Sequence, residues 1–230
     1  MRYIIAVVFI FPLFAKSYSQ TYEIGAVVGG SNYIGDVGST TYIDPSSLAF
    51  GGIFKWNRSN RHSFRFSIMY LEVEANDADS EDLRRRQRNY SFENKILETS
   101  LGLEYTFWEF DLHTGKPQFT PYLFTGINYT KSNHLLLNSQ NEFEEEGANW
   151  EFAIPMVVGI KTTLTQKIIA GFEVGARYTF TDNIDGSDPS EIEDSYELAT
   201  FGNENTSDWY VFTGITLTFT FGRKPCFCSF

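Results

Sequence analysis

The chain has 230 residues, 42% of them hydrophobic and 17% aromatic, and carries a net charge of −11. That much apolar material excludes a disordered chain, and beyond the first residues no apolar run approaches the ~20 that a spanning helix needs. The acidic balance argues against a nucleic-acid partner, and three His and two Cys leave little for a metal or other cofactor.

The opening segment has the form of an export signal. Arg2 supplies a positive start, Ile4 to Ala15 an apolar stretch, and Ser17 and Ser19 the small residues before a cut at Gln20. Residues 1–19 are therefore expected to be removed, and no Cys near the cut invites lipidation. Export also implies an oxidising compartment.

From there the chain alternates polar and apolar residues over segments of ~10, separated by turns, the pattern of a transmembrane β-barrel. Eight segments are predicted: 22–32, 49–57, 62–73, 92–108, 119–132, 150–164, 168–182 and 208–221. The connections 33–48, 74–91, 133–149 and 183–207 are long and polar, whereas 58–61, 109–118 and 165–167 are short. Long connections at one end and short ones at the other are expected of an eight-stranded antiparallel up-and-down barrel over 20–221, with both termini at the short-turn end.

The two faces of each segment differ. In 62–73, Phe64, Phe66, Ile68 and Tyr70 oppose Arg65 and Ser67. In 92–108, Leu97, Leu101, Leu103, Tyr105 and Phe107 oppose Glu98, Ser100, Gly102 and Glu104. In 168–182, Phe172, Val174 and Tyr178 oppose Glu173 and Arg177, and in 208–221 Ile215, Leu217, Phe219 and Phe221 oppose Gly214 and three Thr. A soluble sandwich would bury the apolar face, whereas a membrane barrel turns it to lipid. Aromatic residues at the segment ends (Trp56, Phe107, Trp108, Trp150, Trp209, Tyr210) suit interfacial girdles, favouring outer-membrane lipid as the surroundings.

The lumen is then expected to hold Glu23, Glu98, Glu104 and Glu173 against Lys55, Arg65, Lys161 and Arg177, four acids and four bases. An eight-stranded barrel is only wide enough for side chains to fill, so a balanced set reads as a salt-bridged plug rather than a pore. The long connections hold 18 acidic residues and four Arg, whereas the short turns with the last residues carry six Lys or Arg against two acids. An acidic extracellular face and a mildly basic periplasmic face follow. The basic rim is a candidate surface for steering a protein partner, with Arg58, Arg61, Arg223 and Lys224 as contacts.

Other constellations are weaker. Arg84, Arg85, Arg86 and Arg88 lie beside Glu81 and Asp82, which favours a self-neutralising loop over an anion-binding patch. The acids Asp182, Asp185, Asp188, Glu191, Glu193 and Asp194 do not fit a calcium loop, because registering Gly186 puts Thr181 first and Ile192 twelfth. No GxSxG is present, and of His62, His113 and His134 only the last reaches the long-loop side, so an enzyme is not expected. The segment 222–230 ends in Cys-x-Cys. An extended chain holds Cys226 and Cys228 near the limit for bridging, leaving an intermolecular disulfide, a strained internal one or free thiols as the alternatives.

Five stretches together resemble the PorG-like outer-membrane barrel family of the type IX secretion system of Bacteroidetes. They are Gly30 to Asp36, Phe54 to His62, Thr120 to Ile127, Ile154 to Ile160 and Gly171 to Asp182. Their order and spacing, more than any one motif, carry the resemblance, which spans 22–222. It implies a non-enzymatic outer-membrane component that associates with a periplasmic ring built from a lipoprotein and its partner. That apparatus exports protein and, in gliding species, supports motility. The alternative is a passive surface barrel whose acidic loops bind external ligands.

Overall fold

The computed structural model describes residues 21–137, 143–181, 184–187, 201 and 207–222. The leader 1–19 and the segment holding Arg223, Lys224, Cys226 and Cys228 lie outside them. Eight strands follow in order: β1 (Thr21–Ile34), β2 (Ser47–Asn57), β3 (His62–Asn76), β4 (Ser91–Thr106), β5 (Phe119–Leu137), β6 (Phe143–Thr163), β7 (Ile168–Thr179) and β8 (Trp209–Gly222). Each pairs antiparallel with its chain neighbour, and β8 pairs with β1, so the sheet closes on itself. Closure leaves no unpaired edge, the condition for a sheet to stand in lipid.

Register fixes the barrel's shape. The paired residues Thr21, Asn57, Ser63, Glu104, Phe124, Val157, Gly175, Phe212 and Ser31 run once round the wall and return to β1 ten residues higher (31 − 21). A stagger of this size tilts the strands by about 40° and leaves an interior that side chains alone fill. Gly102 and Gly126 pair across β4 and β5 on the lumen-facing parity. There the backbones approach so closely that a Cβ on Gly102 would sit 2.1 Å from the carbonyl oxygen of Thr125.

The alternation of the sequence becomes an inside-out molecule. Leu101 and Ile127 are each 62% exposed and Val158 and Ile215 each 56%, all on the outer wall, while the polar parity of the same strands is buried. Rings gather in two belts. Tyr22, Phe54, Phe221, Trp108 and Phe119 meet in ring pairs at the short-turn end, and Tyr129, Trp150, Tyr178, Phe180 and Trp209 at the other. On β5 the belts are ten residues apart, Phe119 to Tyr129. That is ~33 Å along the strand and ~25 Å along the axis at this tilt, the height of an outer-membrane apolar band.

Two sequence expectations change. Residues 133–137 and 143–149 are strand, not loop. Strands β5 and β6 continue as a paired hairpin to Leu137 and Phe143, with a register shift between Asn133 and Leu135. Above the apolar band the outer face of a hairpin no longer meets lipid, so alternation does not mark the strand, although Leu135 and Phe143 still pack on the buried cluster. Tyr210 does not belong to a girdle; it is fully buried in the lumen.

Candidate functional site: a sealed lumen and its two ends

All eight charged residues expected inside are at most 3% exposed. The lower lumen, toward the short turns, gathers most of them. Glu104, on β4, takes Lys55 from β2 and Lys161 from β6, each with Nζ 2.7 Å from a carboxylate oxygen. Glu173 takes both terminal nitrogens of Arg65, at 2.7 and 2.8 Å. Tyr122 donates its hydroxyl to Glu173 at 2.6 Å, and the Arg65 guanidinium lies 4.6 Å from the Phe124 ring centroid. Planar two-pronged pairing of this kind is among the stronger ion contacts.

Glu23 departs from the expected salt bridge. Its oxygens accept from Asn57 Nδ2 at 2.9 Å and Thr218 Oγ1 at 2.8 Å, not from a cation. It still stands opposite Lys55 in the β1–β2 register. The lower cluster therefore has three cations, two acids that pair with them and a third acid held by neutral donors. The connection between β4 and β5 closes the floor beneath. Phe110 is buried there, 4.7 Å from Lys161 Nζ, and its N–H donates to the Asn60 carbonyl at 2.9 Å.

Higher in the lumen the charge thins out. Arg177 Nε and Nη2 donate to Glu98 at 3.0 and 3.3 Å, and Tyr210 donates to the same carboxylate at 2.8 Å. Around this pair the filling is apolar: Val27, Ala49, Met69, Leu71, Val73, Ile96 and Phe212 form one buried cluster. Val37 and Ile184 extend it from the connecting segments and Leu135 from the upper end of β5. Asn128, on β5, is fully buried, and neither of its amide atoms has a protein partner.

The long-loop mouth is tied by polar contacts. Asp77 accepts from the backbone N–H of Gly38 and Tyr90 at 2.9 and 3.0 Å, and from Arg88 Nε at 2.8 Å. Arg88 Nη2 also reaches the Asp36 carbonyl at 2.7 Å, and Arg85 donates to the Gly38 carbonyl at 3.0 Å. The arginine run thus pins the first long connection to the second. Its neutralising acid is Asp77, not the adjacent Glu81 or Asp82. Asp82 instead caps the single-turn helix α1 (Leu83–Arg88) by accepting from the Arg84 N–H. Burial works against the Asp77 charge, but Arg88 and the two backbone donors outweigh it and hold the carboxyl below the usual range. Asp185 lies buried in the fourth connection, and burial pushes its carboxyl up against the opposing bonds from Ser187 and Tyr33.

A cavity of about 550 Å³ opens at this end, with Asp44, Glu74, Asp79 and Glu93 among its walls beside Asn32 and Phe92. Glu74 and Glu93 stand directly opposite each other in the β3–β4 register, a like-charge pairing that costs stability. Among the described residues no group of three or more His, Cys, Asp or Glu converges as a metal cage. Asp182, Asp188, Glu191, Glu193 and Asp194 lie outside them. At the opposite end Arg58 and Arg61 are exposed in the β2–β3 turn, and Arg61 Nη2 is 3.7 Å from Glu109. Lys116 and Lys167 are exposed in the neighbouring turns.

Sequence reasoning missed Tyr122, Tyr210, Phe124 and Phe110. For the three in strands the signal was present: Tyr122 and Phe124 share the parity of Thr120 and Asn128, and Tyr210 that of Thr216 and Thr218, so alternation assigns them inward. Phe110 lies in a turn, where alternation does not apply.

Residues 2–230 match the family described as Domain of unknown function (DUF6089), and the chain belongs to that family. No curated protein matches. Among solved structures, the N-terminal β-barrel domain of Pseudomonas aeruginosa OprF is similar at 14% identity and TM-score 0.45, covering 89% of this chain and 98% of that one. Neisserial surface protein A is similar at 9% identity and TM-score 0.43, covering 89% and 96%. The outer membrane protein OprG of P. aeruginosa is similar at 11% identity and TM-score 0.44, covering 90% and 98%. These likenesses concern the fold, which the strand pairing itself establishes as a closed eight-stranded antiparallel barrel.

Proposed function

We propose that this chain is a non-enzymatic outer-membrane barrel that anchors or docks the periplasmic ring of a type IX secretion apparatus. The observation that carries the reading is the filled lumen. Glu104, Glu173, Arg65, Lys55 and Lys161 occupy its lower half at ion-pair distance and Phe110 closes the floor. A barrel so filled offers no route for solute, so its working surfaces are its ends. The apolar outer wall between two aromatic belts holds it in lipid. The short-turn end presents Arg58, Arg61, Lys116 and Lys167 to a periplasmic partner, and the resemblance over 22–222 points to the ring lipoprotein and its companion. Arg223 and Lys224 would add to this surface, and Cys226 or Cys228 would supply a covalent link to the partner.

The test is purification from outer membranes without reductant. Ring proteins are expected to come with the barrel, to be lost with Arg58→Glu/Arg61→Glu, and to include a heavier species that reduction or Cys226→Ser/Cys228→Ser abolishes. Deletion is expected to stop secretion. Intact secretion with no co-purifying ring protein would overturn the proposal, and large steady currents in planar bilayers would contradict the filled lumen beneath it.

The second reading is a surface barrel that binds an external ligand. The acid-walled cavity between the loops favours it, since Glu74 and Glu93 face each other there. Altered adhesion on deletion, with secretion unchanged, would select it.

A further inference from the structure

Two hollows lie at the short-turn end. One, of about 390 Å³, is walled by Asp111, Leu112, Pro117 and Leu164. The other, of about 320 Å³, is walled by Thr21, Leu112, Phe219, Phe221 and Gly222. Leu112 and Gln166 line both, so together they form one groove across the barrel's lower rim. Leu112, Pro117 and Leu164 give it apolar surface beside Lys116, His113 and Lys167, and Leu164 stands 60% exposed in its wall.

We propose that this groove is the seat of the chain's own segment 223–230. Continuity is the first argument. Gly222 ends β8, lines the groove, and takes φ +134°, a conformation side-chain-bearing residues avoid. Pro225, three residues on, has no N–H to donate to a continued ladder. Reach is the second. Eight residues span up to ~26 Å when extended, enough to run from the second hollow into the first. Chemistry is the third: Pro225, Phe227 and Phe230 offer apolar surface for Leu112, Pro117 and Leu164. This seat is independent of the ring reading.

The segment's own thiols make the test. In the full mature chain, in outer membranes under mild oxidant, Leu164→Cys is expected to form an internal disulfide with Cys226 or Cys228. Linked peptides would identify it by mass. Tethering raises the local thiol concentration at either position, so a Ser59→Cys control in the β2–β3 turn measures what tethering alone gives. Seating predicts about tenfold more internal link for Leu164→Cys than for that control. The heat-dependent gel shift of a folded barrel confirms that both variants are native. Equal yields at the two positions, or none at either, would overturn the proposal. A Leu164→Cys product that is instead a dimer, or a link to another protein, assigns the groove to that occupant and equally overturns it.

Discussion

The two halves of the lumen are filled by opposite means. The lower half is a network of charges at 2.7–2.8 Å contacts around Glu104 and Glu173. The upper half has an apolar cluster around Met69, Leu71 and Phe212, with the Arg177–Glu98 pair and a few buried polar residues such as Asn128 and Glu151 beside it. Both fill the lumen, but they fail differently. An apolar side chain that is trimmed leaves a void, whereas a charge that loses its partner leaves a buried ion with nowhere to go. The ionic half should therefore be brittle and the apolar half forgiving.

Glu104→Gln tests this most severely. It strips the partner from both Lys55 and Lys161, and a loss of about 3–5 kcal/mol is expected, the scale of breaking a buried pair. Urea unfolding of the refolded barrel in detergent, followed by its gel shift, measures it; a loss below that of the apolar variant would reverse the comparison. Leu71→Ala, fully buried in the upper cluster, should cost about 2–4 kcal/mol in the same assay.

Arg88→Ala acts at the mouth, outside lipid. The barrel's unfolding should hardly move, whereas protease cutting within 77–90 should rise several-fold. Acid should mimic it. The Asp77 carboxyl is held below its unfolded value near 4, so its contribution is complete above that pH and is lost as pH falls through the lower, folded value. Asp185 has the opposite sign. Its raised carboxyl favours the folded mouth at low pH and loses that advantage as pH climbs from about 4 through the raised value. Protease sensitivity at 77–90 that rises with pH would contradict the Asp77 assignment.

The smallest effect expected is at Asn128. An amide without protein partners gains little over an apolar side chain of like shape, so Asn128→Leu should leave stability within about 1 kcal/mol or raise it. A larger loss would show that the lumen there is hydrated.

Much of this was legible in the residues. Alternation with a period of two assigned Glu98, Glu104 and Arg177 inward and Leu101 and Phe172 outward, because one wall of each strand meets lipid and the other does not. It could not name partners. That Glu104 serves two lysines follows from the stagger of ten residues round the wall, a property of the closed sheet and not of any segment. Nor could it see that Glu23 rests on Asn57 and Thr218, since a charge count treats all carboxylates alike. The hairpin beyond Lys131 and Trp150 was hidden because it rises clear of the apolar band. Arg88 was hidden because a run of like residues does not reveal which member bends back to Asp77.

The Glu98-to-Glu104 stretch of β4 shows what kind of change such a wall withstands. Losing a single residue there would exchange the two sides of every position on one flank of the cut, sending leucines among the ions and glutamates into the bilayer. Insertions and deletions in this gene should accordingly come in even steps within strands and in any number beyond their ends, a footprint that sequencing related genomes would reveal without a single biochemical assay.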